Sequence, residues 1–186
     1  LDASRNSTSQ IWAFDPATQK TKDLARFPLE VHTVAMARLG SGAVVMGGGR
    51  STTVFDQVFT LSKKGKPNKL GRLPAPRTNA VAVPDSGRKR VLLVGGYSGF
   101  EPANEVLATT NGRTFSTVAT LLHPVRFPAV ARSGSTLYVV GGEYDKALSN
   151  TVQRVDLRSG EVTDLPPLPS PLSRASAFAL GGAVFV

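Results

Sequence analysis

The sequence predicts an all-β fold made of repeated four-stranded antiparallel sheets. Three observations carry this prediction: apolar runs that end in glycine pairs, short strands joined by glycine-containing turns, and the absence of sustained helical periodicity. The first glycines of the pairs are Gly47, Gly95 and Gly141, spaced by 48 and then 46 residues. A period of this length is typical of repeat architectures.

Each predicted repeat opens with a short Ala- and Val-rich strand that follows an arginine or a histidine. The four cases are HTVAMA from His32, RTNAVAV from Arg77, RFPAVA from Arg126 and RASAFA from Arg174. The expected first strands are 33–38, 79–84, 128–133 and 176–180. A small turn and a second apolar strand (AVVM, VLLV, LYVV or AVFV) follow each one. Strand, glycine-containing turn and strand predict a hairpin.

A second pair of strands completes each repeat. The third strands are predicted as QVFTLS, EVLATT and TVQRVD, and the turns NGR and LRSGE lead into the fourth strands TFSTVA and EVTDLP. Near the start of the sequence, QIWAFD and KTKDLA supply a further third and fourth strand. Pro-rich connectors such as LPAPR precede each new first strand. The repeating unit is therefore four strands without a helix.

Such sheets have to pack against one another, because a single four-stranded sheet cannot bury both of its faces. Radial stacking around an axis achieves this with short, protected edges, and the result is a β-propeller. We therefore expect residues 1–186 to form one propeller or part of one. The expected units are a half-blade at 1–28, repeats at about 29–75, 76–124 and 125–172, and a half-blade at 173–186.

The two half-blades are complementary: the C-terminal one holds strands one and two, and the N-terminal one holds strands three and four. Three arrangements stay open on the sequence. The chain is part of a larger propeller of about six to eight blades, a four-bladed ring closed by its own termini, or a half-ring that forms a homodimer. Each arrangement covers the free edges of the half-blades differently.

The apolar strand and glycine doublet in VVMGG, VLLVGG and LYVVGG resemble the repeats of the kelch family, of the bacterial type. The resemblance spans essentially the whole chain. It implies a β-propeller that uses one face to recognise partner peptides or sugars, and it favours an extracellular or bacterial cell-envelope location. We expect the glycines to be architectural, because the lack of Cβ lets the backbone turn and approach its neighbour closely.

The amino-acid composition restricts the classes of ligand and cofactor that the chain is expected to bind. Lys+Arg total 22 against 13 Asp+Glu, a formal charge of +9 that favours acidic ligands. The absence of cysteine excludes disulfides and thiolate metal sites, and the two histidines, His32 and His123, stand at unlike positions. We therefore expect no metal and no cofactor. No apolar run reaches 18 residues and the first residues lack a signal-peptide pattern, so no membrane span is expected.

The start of strand one, the end of strand two, the start of strand three and the end of strand four share one face of a propeller, which we call the upper face. His32, Arg77, Arg126 and Arg174 are predicted at four equivalent positions there, one per blade, where their charges would attract a carboxylate or phosphate. The loops after the glycines add five candidate ligand-binding residues: Arg50, Tyr97, Phe100, Glu143 and Tyr144. A structural interpretation competes, in which each arginine caps carbonyls or pairs with an acid of the next blade.

The opposite or lower face receives basic turns that include Lys63, Lys64, Arg88 and Lys89. These turns would either bind an anionic surface or polymer, or be solvent-exposed charges without a partner. Nucleic acid is disfavoured, because no aromatic residues are interleaved with them for base stacking.

These features predict a recognition or scaffold module without catalytic residues, whose upper face binds an acidic protein segment or an anionic glycan. Two other functions stay open. Some kelch propellers are sugar mutarotases or epimerases, and Glu101, Glu143 or Asp145 opposite Arg126 or Arg174 would supply the acid–base group. The third possibility is a purely architectural repeat inside a larger cell-surface protein.

Overall fold

A computed structural model describes residues 6–62 and 64–186. The expected all-β architecture is confirmed: three four-stranded antiparallel sheets are flanked by a two-stranded hairpin at each end of the chain. In the described ranges the one helical element is a single 3-10 turn, Ser86–Arg88. No helix there is long and apolar enough to cross a bilayer.

The N-terminal hairpin and the first complete sheet come first along the chain. The hairpin pairs β1 (Thr8–Asp15) with β2 (Lys20–Val31). The sheet, called blade one, begins with β3 (Ala35–Leu39) and β4 (Gly42–Met46). A small separate hairpin of β5 (Gly49–Arg50) and β6 (Thr53–Val54) follows along the chain. Strands β7 (Gln57–Leu61) and β8 (Pro67–Arg72) then complete the sheet. The order across blade one is β3, β4, β7, β8.

Two further sheets repeat this plan. Blade two consists of β9 (Val81–Asp85), β10 (Arg90–Val94), β11 (Glu105–Thr109) and β12 (Ser116–Thr120). Blade three begins with β13 (Ala129–Ser133) and β14 (Thr136–Val140), carries the small hairpin of β15 (Glu143–Tyr144) and β16 (Ala147–Leu148), and ends with β17 (Val152–Asp156) and β18 (Val162–Leu165). The C-terminal hairpin pairs β19 (Phe178–Leu180) with β20 (Ala183–Phe185).

The cores lie between sheets, as face-to-face packing requires. Alternate residues of β10 point to opposite neighbours: Val91 and Leu93 pack against blade one, whereas Leu92 and Val94 pack against blade three. All four are essentially fully buried. This period-two pattern explains why the second strands read as continuous apolar runs, since both faces of each blade are covered.

First strands of successive blades lie side by side, β3 beside β9, β9 beside β13 and β13 beside β19. Backbone hydrogen bonds join the residues just before them: Asn79 N donates to Thr33 O (3.4 Å), Phe127 N to Asn79 O (2.9 Å) and Arg174 N to Phe127 O (3.2 Å). All four residues have left-handed backbones, with φ of +50° to +59°. Such backbones are uncommon outside glycine, so the ladder holds them in place.

The glycine pairs end the second strands, as expected. The second glycine of each pair donates its amide to the connector that leads to the next blade: Gly48 to Arg77 O, Gly96 to Val125 O and Gly142 to Leu172 O, each at 2.8 Å. A Cβ at Gly95 would stand 2.5 Å from Val125 O, and the φ of Gly95 is +58°. Only glycine combines this backbone with so close an approach.

The structure also departs from the expectations. Strand β8 and the small hairpins β5–β6 and β15–β16 had no sequence signal, and β2 continues to Val31, past the expected half-blade boundary at 28. In the described part of the chain the two terminal hairpins are separate two-stranded sheets. No strand pairing joins these two hairpins within the described residues. The four-bladed ring, the larger propeller and the homodimer all stay predictions.

Candidate recognition face

Three isolated antiparallel bridges define equivalent positions on the upper face: His32 with Gly49, Thr78 with Tyr97, and Arg126 with Glu143. The ladder residues Thr33, Asn79, Phe127 and Arg174 follow one position later. The predicted equivalence of the four basic residues is therefore wrong. Arg77 precedes the bridge position by one residue, His32 and Arg126 occupy it, and Arg174 lies one residue beyond it.

Arg77 is buried and joins neighbouring strands of its blade, so its side chain does not lie exposed on the upper face. It is 5% exposed, and its Nη1 donates to Gly95 O at 3.3 Å while Nη2 contacts Glu105 Oε2 at 3.0 Å. Its own carbonyl accepts the Gly48 amide. The structural interpretation therefore describes Arg77 in part. Arg77 caps a carbonyl, but the acid that it pairs with belongs to its own blade and not to the next one.

Blade three brings two arginines onto one carboxylate. Glu143 follows the glycine pair directly, and its backbone pairs with Arg126 in both directions (3.1 and 2.8 Å). Their side chains therefore lie together, with Arg126 Nη2 3.0 Å from Glu143 Oε2. Arg174 Nε lies 3.4 Å from Oε1 of the same carboxylate, and Ser173 Oγ donates to that oxygen at 3.0 Å.

Aromatic rings accompany the two arginines. The Arg174 guanidinium carbon lies 3.7 Å from the Phe127 ring centroid, and that of Arg126 lies 5.3 Å from the Tyr97 centroid. Both distances are within cation–π range. The Arg174 side chain is nevertheless 62% exposed, whereas that of Arg126 is 24% exposed. We call Arg126, Phe127, Glu143, Ser173 and Arg174 the upper cluster.

His32 stands at the blade-one equivalent of Arg126, but its surroundings are neutral. Its Nδ1 lies 2.9 Å from Ser7 Oγ, and the next residue, Thr33, shares a 2.6 Å hydroxyl contact with Thr78. No acidic side chain within the described residues lies within 4 Å of the His32 ring nitrogens.

Three of the loop candidates are exposed: Arg50 in blade one, Phe100 in blade two and Tyr144 in blade three. Phe100 is the extreme case, at 95% exposure. Of the three carboxylates considered for proton transfer, Glu143 alone pairs with Arg126 and Arg174 in the described part of the chain. Glu101 and Asp145 are exposed loop residues. Among the same residues no three His, Asp or Glu side chains converge as a metal site would require.

Comparison with known proteins supports the repeat type and the fold. Residues 124–169, which include blade three, match the sequence model of the Kelch motif. The chain contains a kelch repeat. A solved structure titled "Structure of YjhT" superposes with a TM-score of 0.77 at 16% identity, covering 96% of this chain and 71% of that one. The kelch resemblance and the propeller fold are thus confirmed. At 16% identity the superposition is evidence for the fold alone.

No curated protein matches the sequence. The matched kelch repeat holds Arg126, Phe127 and Glu143 of the upper cluster. It ends before Ser173 and Arg174, which come from the connector and the approach to β19. The upper cluster is therefore assembled where one blade meets the next first strand.

Proposed function

We propose that this kelch chain is a recognition module whose upper cluster binds a carboxylate-bearing ligand, an acidic protein segment or an anionic glycan. One observation carries the proposal: Glu143 is the shared carboxylate of two arginines. The three side chains together bear one net positive charge, and the more exposed guanidinium, Arg174, meets Glu143 through Nε at 3.4 Å. Guanidinium groups take carboxylates bidentately, so Arg174 offers its Nη atoms to an incoming carboxylate.

The rings at this site support recognition. Phe127 lies beneath Arg174, and a guanidinium stacked on a ring loses less freedom when it binds. Exposed Phe100 and Tyr144 belong to the neighbouring loops, and large exposed aromatic side chains are typical of binding surfaces. Kelch repeats generally mediate protein interactions, which agrees with a peptide ligand.

The proposal is tested with a fluorescent hexaglutamate peptide and its hexaglutamine counterpart, followed by anisotropy. Arg174→Gln should weaken hexaglutamate binding about tenfold, the loss of one charge-assisted interaction. The matched control is Arg158→Gln, which removes the same charge from an exposed turn of the lower face. Equal loss in both variants, or equal binding of hexaglutamine, would contradict the proposal.

An anionic glycan is distinguished from a peptide by a second pair of probes. A disaccharide that contains a uronic acid is compared with its neutral counterpart in the same titration. Preference for the acidic disaccharide over hexaglutamate assigns the site to glycans. Binding of neither acidic probe leaves an architectural role for the chain.

A sugar mutarotase or epimerase is the second candidate, favoured by the contact between Glu143 and the Ser173 hydroxyl. Sugar isomerisation needs a group that takes and returns a proton near the substrate hydroxyls. Glu143 is the carboxylate of the upper cluster, and it lies beside the Ser173 hydroxyl and the Arg126 guanidinium. Anomer exchange of reducing sugars, measured by NMR with wild-type protein and with Glu143→Gln, tests this candidate. Unchanged exchange rates in the presence of the protein would reject it.

A further inference from the structure

The lower face contains a cleft between blades one and two. Its volume is about 820 Å³. Its walls come from the β3–β4 turn and strands β7 and β8 of blade one, and from the two turns of blade two. Its polar lining includes Arg38, Ser41, Ser86, Lys89, Arg90 and Thr110.

The charges of this cleft have one sign. Arg38, Lys89 and Arg90 line it, and none of its described lining residues is acidic. Neither Arg38 nor Lys89 forms an ion pair with any described carboxylate, because their side chains are absent from every ion pair in residues 6–62 and 64–186. Low-dielectric walls focus the field of like charges, so the cleft attracts anions.

Arg90 is fixed at the back of the cleft by a buried carboxylate. Its Nε lies 2.9 Å from Asp85 Oδ2, and the Asp85 side chain is 3% exposed. The same carboxylate contacts Arg132 Nη1 at 3.3 Å and Arg88 Nη1 at 3.8 Å. One carboxylate therefore contacts three arginines, and these four side chains together keep a net charge of plus two.

One nitrogen of Arg90 has no partner. Its Nη2 is buried and forms no hydrogen bond, although the Arg90 side chain lines both this cleft and a smaller cavity of about 240 Å³ beside Thr110. A buried guanidinium nitrogen without an acceptor is costly. Its positive charge nevertheless adds to the potential of the cleft that the Arg90 side chain lines.

Neutral donors surround these charges. Ser41, Ser86 and Thr110 contribute hydroxyl groups. Asn111 also lines the cleft, but its Nδ2 donates to Thr114 Oγ1 at 3.1 Å within its own turn. Hydroxyl and guanidinium donors around a single acceptor-rich group are the arrangement that phosphate and sulfate oxygens require. No aromatic side chain lines the cleft, so it lacks a stacking platform for bases.

We propose that this lower cleft binds a small molecule bearing a phosphate or sulfate ester. The volume of about 820 Å³ falls in the range of small-ligand sites, so the ester and the group that carries it both fit. Arg90 and Lys89 receive the ester from blade two, and Arg38 receives it from blade one. The site is separate from the upper cluster, and its occupancy does not depend on the ligand of that cluster.

Isothermal titration with glucose 6-phosphate, glucose 6-sulfate and glucose tests the proposal. Saturable binding of one or both esters, with no binding of glucose, is expected. The two esters distinguish phosphate from sulfate as the preferred group. Absence of saturable binding by both esters would overturn the proposal.

The test variant combines Arg38→Gln with Lys89→Asn. Asparagine is chosen because Lys89 has a left-handed backbone, φ +49°, which asparagine tolerates well. The control combines Lys20→Gln with Arg158→Gln, two exposed residues of other turns on the same face, and removes the same charge. The test variant should weaken ester binding at least about tenfold and the control less than about twofold.

Equal loss in the test variant and the control would mean that net charge alone attracts the ester, and the proposal would fail. A readout on the wild-type protein makes the outcome independent of how the variants fold. Amide chemical shifts of Arg38, Lys89 and Thr110 should move on addition of the ester, while those of Arg126 and Arg174 stay in place. Shifts confined to the upper cluster would place the ester at the other face and overturn the assignment.

Discussion

The amide of Gly48 donates to the carbonyl of Arg77 at 2.8 Å, across the joint between blade one and the connector to blade two. The same contact recurs from Gly96 to Val125 and from Gly142 to Leu172. The glycine doublet thus joins each second strand to the segment that starts the next blade. Its recurrence in the sequence follows from this repeated contact.

Alanine at a doublet glycine should destabilise the protein more than alanine at a turn glycine with the same backbone. Gly95 and Gly134 have φ of +58° and +57°, but a Cβ at Gly95 would meet Val125 O, while one at Gly134 meets nothing within 4 Å. We expect Gly134→Ala to cost about 1 kcal/mol and Gly95→Ala at least about 3 kcal/mol. Urea denaturation of the two variants measures the difference, and equal losses would contradict the architectural role of the doublet.

The arginines of the upper face should separate into structural and functional ones. Arg77→Met removes a buried guanidinium and leaves Gly95 O and Glu105 without their donor, so we expect a loss of about 2 kcal/mol, moderated because Glu105 is partly exposed. Arg174→Gln should change the free energy of unfolding by less than about 0.5 kcal/mol. Thermal and urea unfolding decide this. Comparable losses in both variants would make Arg174 structural.

Asp85 should be more important for stability than an exposed aspartate. Asp85→Asn leaves Arg88, Arg90 and Arg132 around a neutral side chain, and removing one partner of a buried ion pair costs about 3 kcal/mol or more. Asp145→Asn, in an exposed loop of the upper face, should be neutral within about 0.5 kcal/mol. Urea unfolding of the two variants checks the expectation. A near-neutral Asp85→Asn would show that the arginines do not depend on this carboxylate.

Gln153 holds the connector between blades two and three. Its side chain is 1% exposed; its Oε1 accepts from His123 N at 3.0 Å, and its Nε2 donates to His123 O at 3.1 Å. Gln153→Met keeps the volume but leaves both backbone groups without partners, so we expect a loss of about 2–3 kcal/mol. Arg154→Met, at the exposed neighbouring position, is the control. Hydrogen exchange at the His123 amide should quicken in the first variant alone, and unchanged exchange would contradict the role of Gln153.

Most strands were predictable because local signals agree with the final packing. The apolar runs of β4, β10 and β14 are buried on both faces, and the glycine pairs mark where they end. Strand β8 gave no such signal, since PNKLGR lies at the outer edge of blade one with most side chains partly or fully exposed. An edge strand of this kind follows from pairing with β7 rather than from its own pattern.

The predicted equivalence of the basic residues failed because the turns between first and second strands differ in length. His32 and Arg126 both stand 15 residues before the first glycine of their pair. The β9–β10 turn has two more residues than the corresponding turns of blades one and three, so the matching residue of blade two stands 17 before Gly95 and is Thr78. Aligning on arginine instead of turn length placed Arg77 one position out of register.

Phe127 and Ser173 had no sequence signal for the site. Phe127 reaches Arg174 because the inter-blade ladder gives both residues left-handed backbones, which no local propensity predicts. Ser173 approaches Glu143 across 30 residues of sequence. Contacts between a glycine-following loop and the next connector depend on the closure of one blade against another, and the sequence period alone does not fix them.

The guanidinium resonances of Arg126 and Arg174 give the most direct test that the upper cluster recognises a carboxylate. Two-dimensional NMR of the arginine Nε–H groups is recorded while hexaglutamate is added, with hexaglutamine as the control. We expect saturable shifts at Arg174 and smaller ones at Arg126, with Arg158 unaffected. Shifts distributed evenly over exposed arginines, or no shift at Arg174 at saturating peptide, would contradict this expectation.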